Sequence, residues 1–373
     1  MERVAVGGAL AQRPGYGGHA WALLGYLQGF QALGCEVLFL DRLSAEMVPD
    51  PAQRERCARW LVEVMDAAGL GESYSLLLDD GTVGRPRQRA IEWLRDSTLL
   101  LNVMGFVTDP DLLDAAPRKA FLDIDPGFGQ MWRALGLADL FVGHDAYVTV
   151  GERIGEPDCG VPGCGIDWVK TPHPIVLDRW PAVPGGDRFT SVGSWRGPYD
   201  PVEFEGRRYG LRAHELRKLV TLPREADAEL ELALDIDPAD AADREALVEN
   251  GWHLVDPAVV AGDLESYRRY IQGSLAELMV AKGIYVETRS GWFSERSLAY
   301  LASGKPVLAQ DTGFSERYPT GEGLLAFSDL AGAKAGVEAI QADPERHARA
   351  AREIAVEHFE SGKVLGRLLE EVA

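Results

Sequence analysis

Two α/β domains, each built on a mostly parallel sheet, are predicted by three observations. Short apolar runs of strand length alternate with helical stretches along nearly the whole chain. The length, 373 residues, exceeds one ordinary domain and suits two of roughly 180 residues each. Periodicity lapses once, between about 151 and 187, where Pro172, Pro174, Pro181, Pro184, Gly185 and Gly186 accumulate, a composition that reads as a linker. With 46% hydrophobic residues and nine tryptophans the chain can fill two cores.

The elements follow in order. Val4-Ala5-Val6 is a short strand that enters a glycine-rich loop, GGALAQRPGYGGH. A helix runs from about His19 to Leu33 with Leu23, Leu24, Leu27 and Phe30 on one face, and Gly34 ends it. Glu36–Leu40 is the next strand, parallel to the first by the usual connection rule, with Asp41 at its end. A helix near 51–68 precedes a strand at Leu76-Leu77-Leu78. Thr98–Val103, Ala120–Ile124 and Leu140–Val142 read as further strands, the last two ending at Asp125-Pro126 and His144-Asp145. Beyond the linker, strands are expected at Phe189–Gly193, Glu231–Ile236, Trp252–Val255, Gly283–Glu287 and Val307–Gln310. SYRRYIQGSLAELM reads as a helix with Tyr267, Tyr270 and Ile271 facing the core, and Arg346–Ala373 as a charged terminal helix.

The net charge of −20 and a pI near 4.8 argue against nucleic acid or an anionic membrane as the main partner, while leaving room for a local basic pocket. No run of 18 apolar residues occurs and the chain starts directly with a strand, so a cytoplasmic protein without a membrane segment is expected. Four cysteines are too few for a disulfide scaffold. Cys159 and Cys164 lie in DCGVPGCG without a second pair at zinc-ligand spacing, so reduced structural thiols and no metal site are expected.

The stretch Arg289–Phe314 carries the strongest chemical signal. Ser294 is a suitable N-cap, Glu295 lies in the first turn, Leu298, Leu301 and Ala302 form an apolar stripe, and Gly304 stands where a helix C-terminal glycine belongs. Pro306 then opens the strand Val307-Leu308-Ala309. A glycine-containing loop opening a helix presents free N–H groups and a positive dipole end, which is a seat for phosphate; most such helix starts bind only water. Arg289, Ser290, Ser294, Arg296 and Ser297 are further donors here.

This segment resembles the donor-binding region of nucleotide-sugar glycosyltransferases of the two-domain GT-B type. Leu301-Ala302-Ser303-Gly304-Lys305-Pro306-Val307 matches the family's Leu-Ala-x-Gly-x-Pro-Val ending, and Gly291-Trp292-x-Ser294 resembles the start seen in its plant and antibiotic-type members. The spacing between the two fits the retaining group better, yet Gly291 and Ala299 stand where that group carries glutamates, so stereochemistry stays open. The opening unit, a glycine loop before a helix ending in Gly-x-x-Val-x-Phe, is similar to GT-B first domains. DIDPGFGQMW, TVGERIG and HELRKL resemble bacterial glycosyltransferase-like proteins over nearly the whole length.

The resemblance implies two Rossmann-like domains facing a cleft: an acceptor-side domain over 1–180, a linker over 181–187, a donor-side domain over 188–355, and a last helix, 356–373, packing back toward the first domain. It implies a metal-independent transfer of sugar from a nucleoside-diphosphate sugar, a co-substrate rather than a bound cofactor, to an acceptor hydroxyl. The acceptor class (small natural product, lipid-linked sugar or glycan) stays open. In the loop Gly15–His19, Gly17 and Gly18 line the cleft and His19 falls where inverting members carry the base, with Asp125 or Asp145 orienting it or acting instead. Glycines here also simply permit close packing, and a histidine at a helix start is also a common surface residue. For the diphosphate the expected contacts are Arg196, Gly291, Ser294, Arg296 and Ser297, with Lys218 a weaker second to Arg196. For the sugar and nucleotide they are Trp252, His253, Asp311 and Thr312, although core packing suits Trp252 better than stacking on a base. A nucleotide-sugar epimerase of the same fold and a non-catalytic sugar-nucleotide-binding protein are the alternatives.

Overall fold

The computed structural model describes residues 2–197 and 199–373. The first sheet contains β1 (Arg3–Gly7), β2 (Glu36–Arg42), β3 (Tyr74–Leu78), β4 (Gly81–Gly84), β5 (Leu99–Val103), β6 (Lys119–Asp123), β7 (Ala146–Thr149) and β8 (Trp168–Lys170). Its order is β4-β3-β2-β1-β5-β6-β7-β8, parallel except for the β3–β4 pair. The second half begins with β9 (Phe189–Ser194) and a small hairpin of β10 (Val202–Phe204) and β11 (Arg207–Tyr209). It continues with β12 (Leu230–Asp235), β13 (His253–Val255), β14 (Ala276–Met279), β15 (Val307–Gln310) and β16 (Leu324–Phe327), in the all-parallel order β13-β12-β9-β14-β15-β16. Both sheets are doubly wound, and the order reverses between β1 and β5 in one and between β9 and β14 in the other.

Most strands lie where alternation and apolar runs place them, and two do not. Leu140–Val142 is not a strand. Asp139 accepts a hydrogen bond from the Phe141 N–H (3.0 Å) and Gly143 turns the chain at φ 85°, so the strand starts only at Ala146. Phe141 instead plugs the sheet against Phe121 and Trp168, while Val142 is exposed. Gly283–Glu287 belongs to a helix, Gly283–Thr288, whose buried Ile284, Tyr285 and Thr288 follow helical spacing. The strand that feeds it is Ala276–Met279, the end of a stretch expected to be helical, because the helix Leu264–Gln272 stops at Gly273. The three-residue strands β8, β10 and β11 are too short to show a period.

The chain end crosses between the domains. After the helix Pro344–Ile354 the chain makes one wide turn, Ala355–Phe359, and Glu360 bridges to Ile175, which follows β8. The helix Ser361–Val372 then buries Leu365, Leu368 and Val372 in the core of the first domain, against the helix Gly17–Ala32. Gly29 makes this possible, since a Cβ there would lie 2.5 Å from Leu365 Cδ1. Among the described residues no helix is long and apolar enough to cross a membrane.

The first glycine loop is also an interdomain contact. The Gly17 N–H donates to the Ala261 carbonyl (3.0 Å), and a Cβ on Gly17 would run into the carbonyl oxygens of Asp263 and Ala261. A Cβ on Gly18 would lie 2.7 Å from the Tyr267 ring. Trp21 donates to the Leu264 carbonyl (2.9 Å) one turn later.

Three stability outcomes follow from the packing. Leu365→Ala, at a site with no exposure, is expected to lower the unfolding free energy by about 2–5 kcal/mol in urea titration. Gly17→Ala is expected to cost about 1–3 kcal/mol, because the obstruction is backbone. Gly81→Ala, where a Cβ meets open space, should stay within about 0.5 kcal/mol of the parent.

Candidate functional site

The carboxyl edges of both sheets face one cavity of about 650 Å³. Its first-domain wall is the segment from Pro14 to His19. Its second-domain wall is made by the ends of β9, β12 and β13, the start of the helix Arg212–Lys218, and the first turn of the helix Glu295–Ala302.

The reversal of strand order in the second sheet shapes its floor. β14 pairs with β9 only at Ala276–Phe189 and Glu277–Thr190, and beyond that the strands part. Arg296 fills the gap: its Nε donates to the buried Glu277 carboxylate (2.6 Å) and its Nη1 to the Val192 carbonyl (2.9 Å), leaving a buried Nη2 without a partner. Arg212 spans the gap further out, donating to the carbonyls of Val280 (3.1 Å) and Ser194 (3.4 Å) at the ends of β14 and β9. No carboxylate lies within ion-pair distance of Arg212 among the described residues. Burial lowers its pKa to about 10, and the nearby positive Arg296 pushes the same way, so it stays charged at neutral pH without a counter-ion. Arg244, exposed and with no carboxylate at ion-pair distance among the described residues, adds a second guanidinium to the lining.

Two helix starts point into the same space. Tyr16, the N-cap of the helix Gly17–Ala32, gives it no side-chain cap, so the first-turn N–H groups at Gly18 and His19 stay available. On the other side Ser294 caps its helix by accepting from the Arg296 N–H (3.2 Å). Glu295 follows, half-buried and lining the cavity. Burial alone raises its carboxyl pKa, but His173, Arg296, its own N–H and His19 together bring it below the usual range. His19 donates from Nε2 to the Ala9 carbonyl (2.8 Å), the tautomer that leaves the Nδ1 lone pair free. Burial lowers its pKa, outweighing the Ala9 bond, so the ring is neutral near pH 7.

The outer wall is apolar with acidic edges: Leu234, Ile236, Leu254, Val255 and Pro257, flanked by Asp235 and Asp256. Tyr16 reaches across from the first domain toward Asp235 (3.5 Å).

Of the residues singled out in the sequence, the fold brings Gly17, Gly18, His19 and Arg296 to the cavity. The others lie elsewhere. Arg196 is held by Asp240 (2.8 Å) in a neighbouring hollow, and Lys218 by Glu215 (2.7 Å). Trp252 is in the second-domain core, donating to the Val220 carbonyl, and His253 pairs with Glu229 at the opposite end of the same short strand from the cavity. Ser294 acts as a cap, and Ser297 is buried behind it with its hydroxyl unpartnered. Asp311 braces its own loop through the Gly313 N–H (2.8 Å) and the Ser315 hydroxyl (2.7 Å), while Thr312 donates to the Trp292 carbonyl (2.5 Å). Gly291 packs against Arg153. Asp125 bridges the domains through Lys282 (2.7 Å) and Tyr285, away from the cavity. Asp145 receives the Lys119 N–H at the amino end of β6, so it does not reach His19.

Arg212, Arg244, Asp235 and Glu295 were missed. Asp235 had a signal, an acidic residue ending the second strand of a doubly wound sheet. Arg212 had none, because its role depends on which two strands part above it.

No protein-family model and no curated protein sequence matches the chain. Solved structures do. AviGT4, a glycosyltransferase involved in avilamycin A biosynthesis, superposes with a TM-score of 0.58 at 16% identity, covering 100% of this chain and 97% of its own. An alpha-glucosyltransferase in complex with UDP gives 0.60 at 10% identity, with full coverage of both chains. HepE of Anabaena, in complex with UDP and glucose, gives 0.58 at 11% identity, covering 100% and 99%. With its two doubly wound sheets opening on one cleft, the chain therefore has, over its whole length, the GT-B fold of these glycosyltransferases.

Proposed function

We propose that the protein is a glycosyltransferase that takes a sugar from a nucleoside-diphosphate sugar and passes it to an acceptor hydroxyl. The observation that carries this reading is the pair of guanidiniums, Arg212 and Arg244, that have no ion-pair partner among the described residues, at a cavity where two helix starts converge, in a chain of net charge −20. A diphosphate supplies the anion such a site lacks. The UDP-bound neighbours share the fold, and the nucleotide is carried over from them as part of the proposal.

In this reading the apolar wall of Leu234, Ile236, Leu254 and Val255 receives the base, and Asp235 accepts from ribose hydroxyls. The diphosphate lies against Arg212, Arg244 and the N–H groups that open the two helices. This places the sugar toward His19 and Glu295. His19 Nδ1 takes the acceptor hydroxyl proton as the acceptor oxygen bonds to the anomeric carbon, and the bond from that carbon to the diphosphate oxygen breaks. The electron pair leaves with the diphosphate, whose developing charge the guanidiniums and N–H groups stabilise. The reading requires no metal ion.

Calorimetric titration is expected to show UDP binding, with Arg212→Met weakening it by at least about tenfold, or about 1.4 kcal/mol. Failure of all nucleoside diphosphates to bind sinks the proposal. His19→Ala is expected to abolish transfer from a panel of nucleotide sugars while leaving UDP affinity within about threefold; unchanged turnover rejects the base, and binding with no turnover in the parent points to a non-catalytic binder. Because burial lowers the His19 pKa, protonation that removes the base occurs only below the usual value of about 6.5. The acid limb of kcat/KM is therefore expected below that pH, and a limb above it contradicts the assignment.

A further inference from the structure

The loop that precedes the helix Glu295–Ala302 is held from behind by a side chain of the other domain. Arg153 lies just past β7 in the first domain and is 2% exposed. Its N–H donates to the Ser290 carbonyl (3.1 Å), and its side chain runs between Gly291 and Gly313. A Cβ at Gly291 would lie 2.8 Å from Arg153 Cγ, and one at Gly313 would lie 2.8 Å from its Cδ. Both glycines have positive φ, 76° and 96°, and together they form a slot that only bare backbone leaves open. At the far end the guanidinium meets Glu156 (2.8 Å) and Asp158 of its own domain and Glu316 (3.1 Å) of the other.

The charges around it continue across the boundary. Arg289 joins Asp158 (3.1 Å) to Glu316, and Arg317 reaches the Glu152 carbonyl (3.1 Å) and the Glu156 carboxylate. Tyr318 donates to the Glu152 carboxylate. The Gly160 N–H donates to the Thr288 carbonyl (2.7 Å), so the backbone is tied on this side as well. Packing alone needs only an apolar plug in the slot. A fork of charge at its tip, shared by carboxylates of both domains, adds direction: it sets where the plug stops.

We infer that Arg153 is a positioning residue, a first-domain peg that places the Arg289–Ser294 loop and with it the cavity-facing first turn of the helix Glu295–Ala302. The inference rests on the donor reading of the cavity for its functional consequence and on the slot geometry for its structural one. The Gly291 and Gly313 positions then serve the peg rather than the ligand. The cavity is complete only while the two domains are docked at this point.

The test uses the full-length protein with Arg153→Met, which keeps the stem in the slot and deletes the fork. Hydrogen exchange of the amides from Arg289 to Arg296 is expected to accelerate by about tenfold. UDP affinity by calorimetry is expected to fall by about five- to tenfold, with far-UV dichroism unchanged. Arg153→Lys, which restores a charge at the tip, is expected to recover part of both effects, a recovery that loss of packing does not predict. Where Arg153→Met fails to fold, Glu316→Gln removes one partner and is expected to move both readouts in the same direction by a smaller amount. Unchanged exchange and UDP affinity in a folded variant overturn the inference. If the parent does not bind UDP, the donor reading fails, and the exchange measurement still decides whether Arg153 places the loop.

Discussion

The parting of β9 and β14 beyond Thr190 and Glu277 is the constraint on which the rest of this site depends. A doubly wound sheet must open where its strand order reverses, and the opening exposes main-chain carbonyls that need donors. Here two arginines supply them. Arg296 is neutralised by Glu277, with both side chains buried, and losing one partner of such a pair costs about 3–5 kcal/mol. That pair fixes the start of the helix Glu295–Ala302 against the sheet. Arg212 satisfies the outer carbonyls and keeps its charge unpaired, turning a gap in a sheet into a cation at the floor of a cavity.

The first domain faces this cation across the cavity. It does so with backbone and glycine: Gly17 and Gly18 come so near Ala261, Asp263 and Tyr267 that no larger residue fits without displacement. Close approach by bare backbone leaves the N–H groups at the start of the long first helix uncovered, facing the same space. The opposite side of the interface is organised by charge, with Arg153, Arg289 and Arg317 interleaved among Glu152, Glu156, Asp158 and Glu316. Between them Asp125 receives Lys282, whose ammonium also lies over the rings of Phe128, Tyr199 and Tyr285. The cleft is thus bounded by one contact made of backbone and aromatic groups and two made of ion pairs.

Electrostatics explain how an acidic protein keeps uncompensated cations at one cavity. Several arginines around the cleft are spent on carboxylates: Arg196 on Asp240, Arg217 on Asp243, Arg289 on Glu316. A paired guanidinium offers an incoming diphosphate little, because its attraction is already balanced. The discriminating property is therefore that Arg212 and Arg244 have no ion-pair partner among the described residues, together with a neutral His19. Glu295, whose carboxyl pKa lies below the usual range, keeps its negative charge at the same cavity.

The fold class was legible in the sequence because burial on two faces writes long apolar runs, and because Ser294, Gly304 and Pro306 set helix and strand ends through local backbone chemistry. Local signals also located the first glycine loop and the Val307–Gln310 strand. They failed where length removed the period, as in β8 and the β10–β11 hairpin, and where a helical spacing was read as a strand at Gly283. The site was legible only in part. Gly17, Gly18, His19 and Arg296 are recognisable from their place at helix starts. Which arginine is free, which glycine admits a neighbour's side chain and which aspartate ends facing the cavity depend on partners 10 to 160 positions away, such as Asp240 for Arg196 and Arg153 for Gly291. Chain-local chemistry determined the two domains and the helix that opens on the cleft. Only the tertiary structure decided which charges remain there uncompensated, since compensation is a property of distance in space and not of distance along the chain.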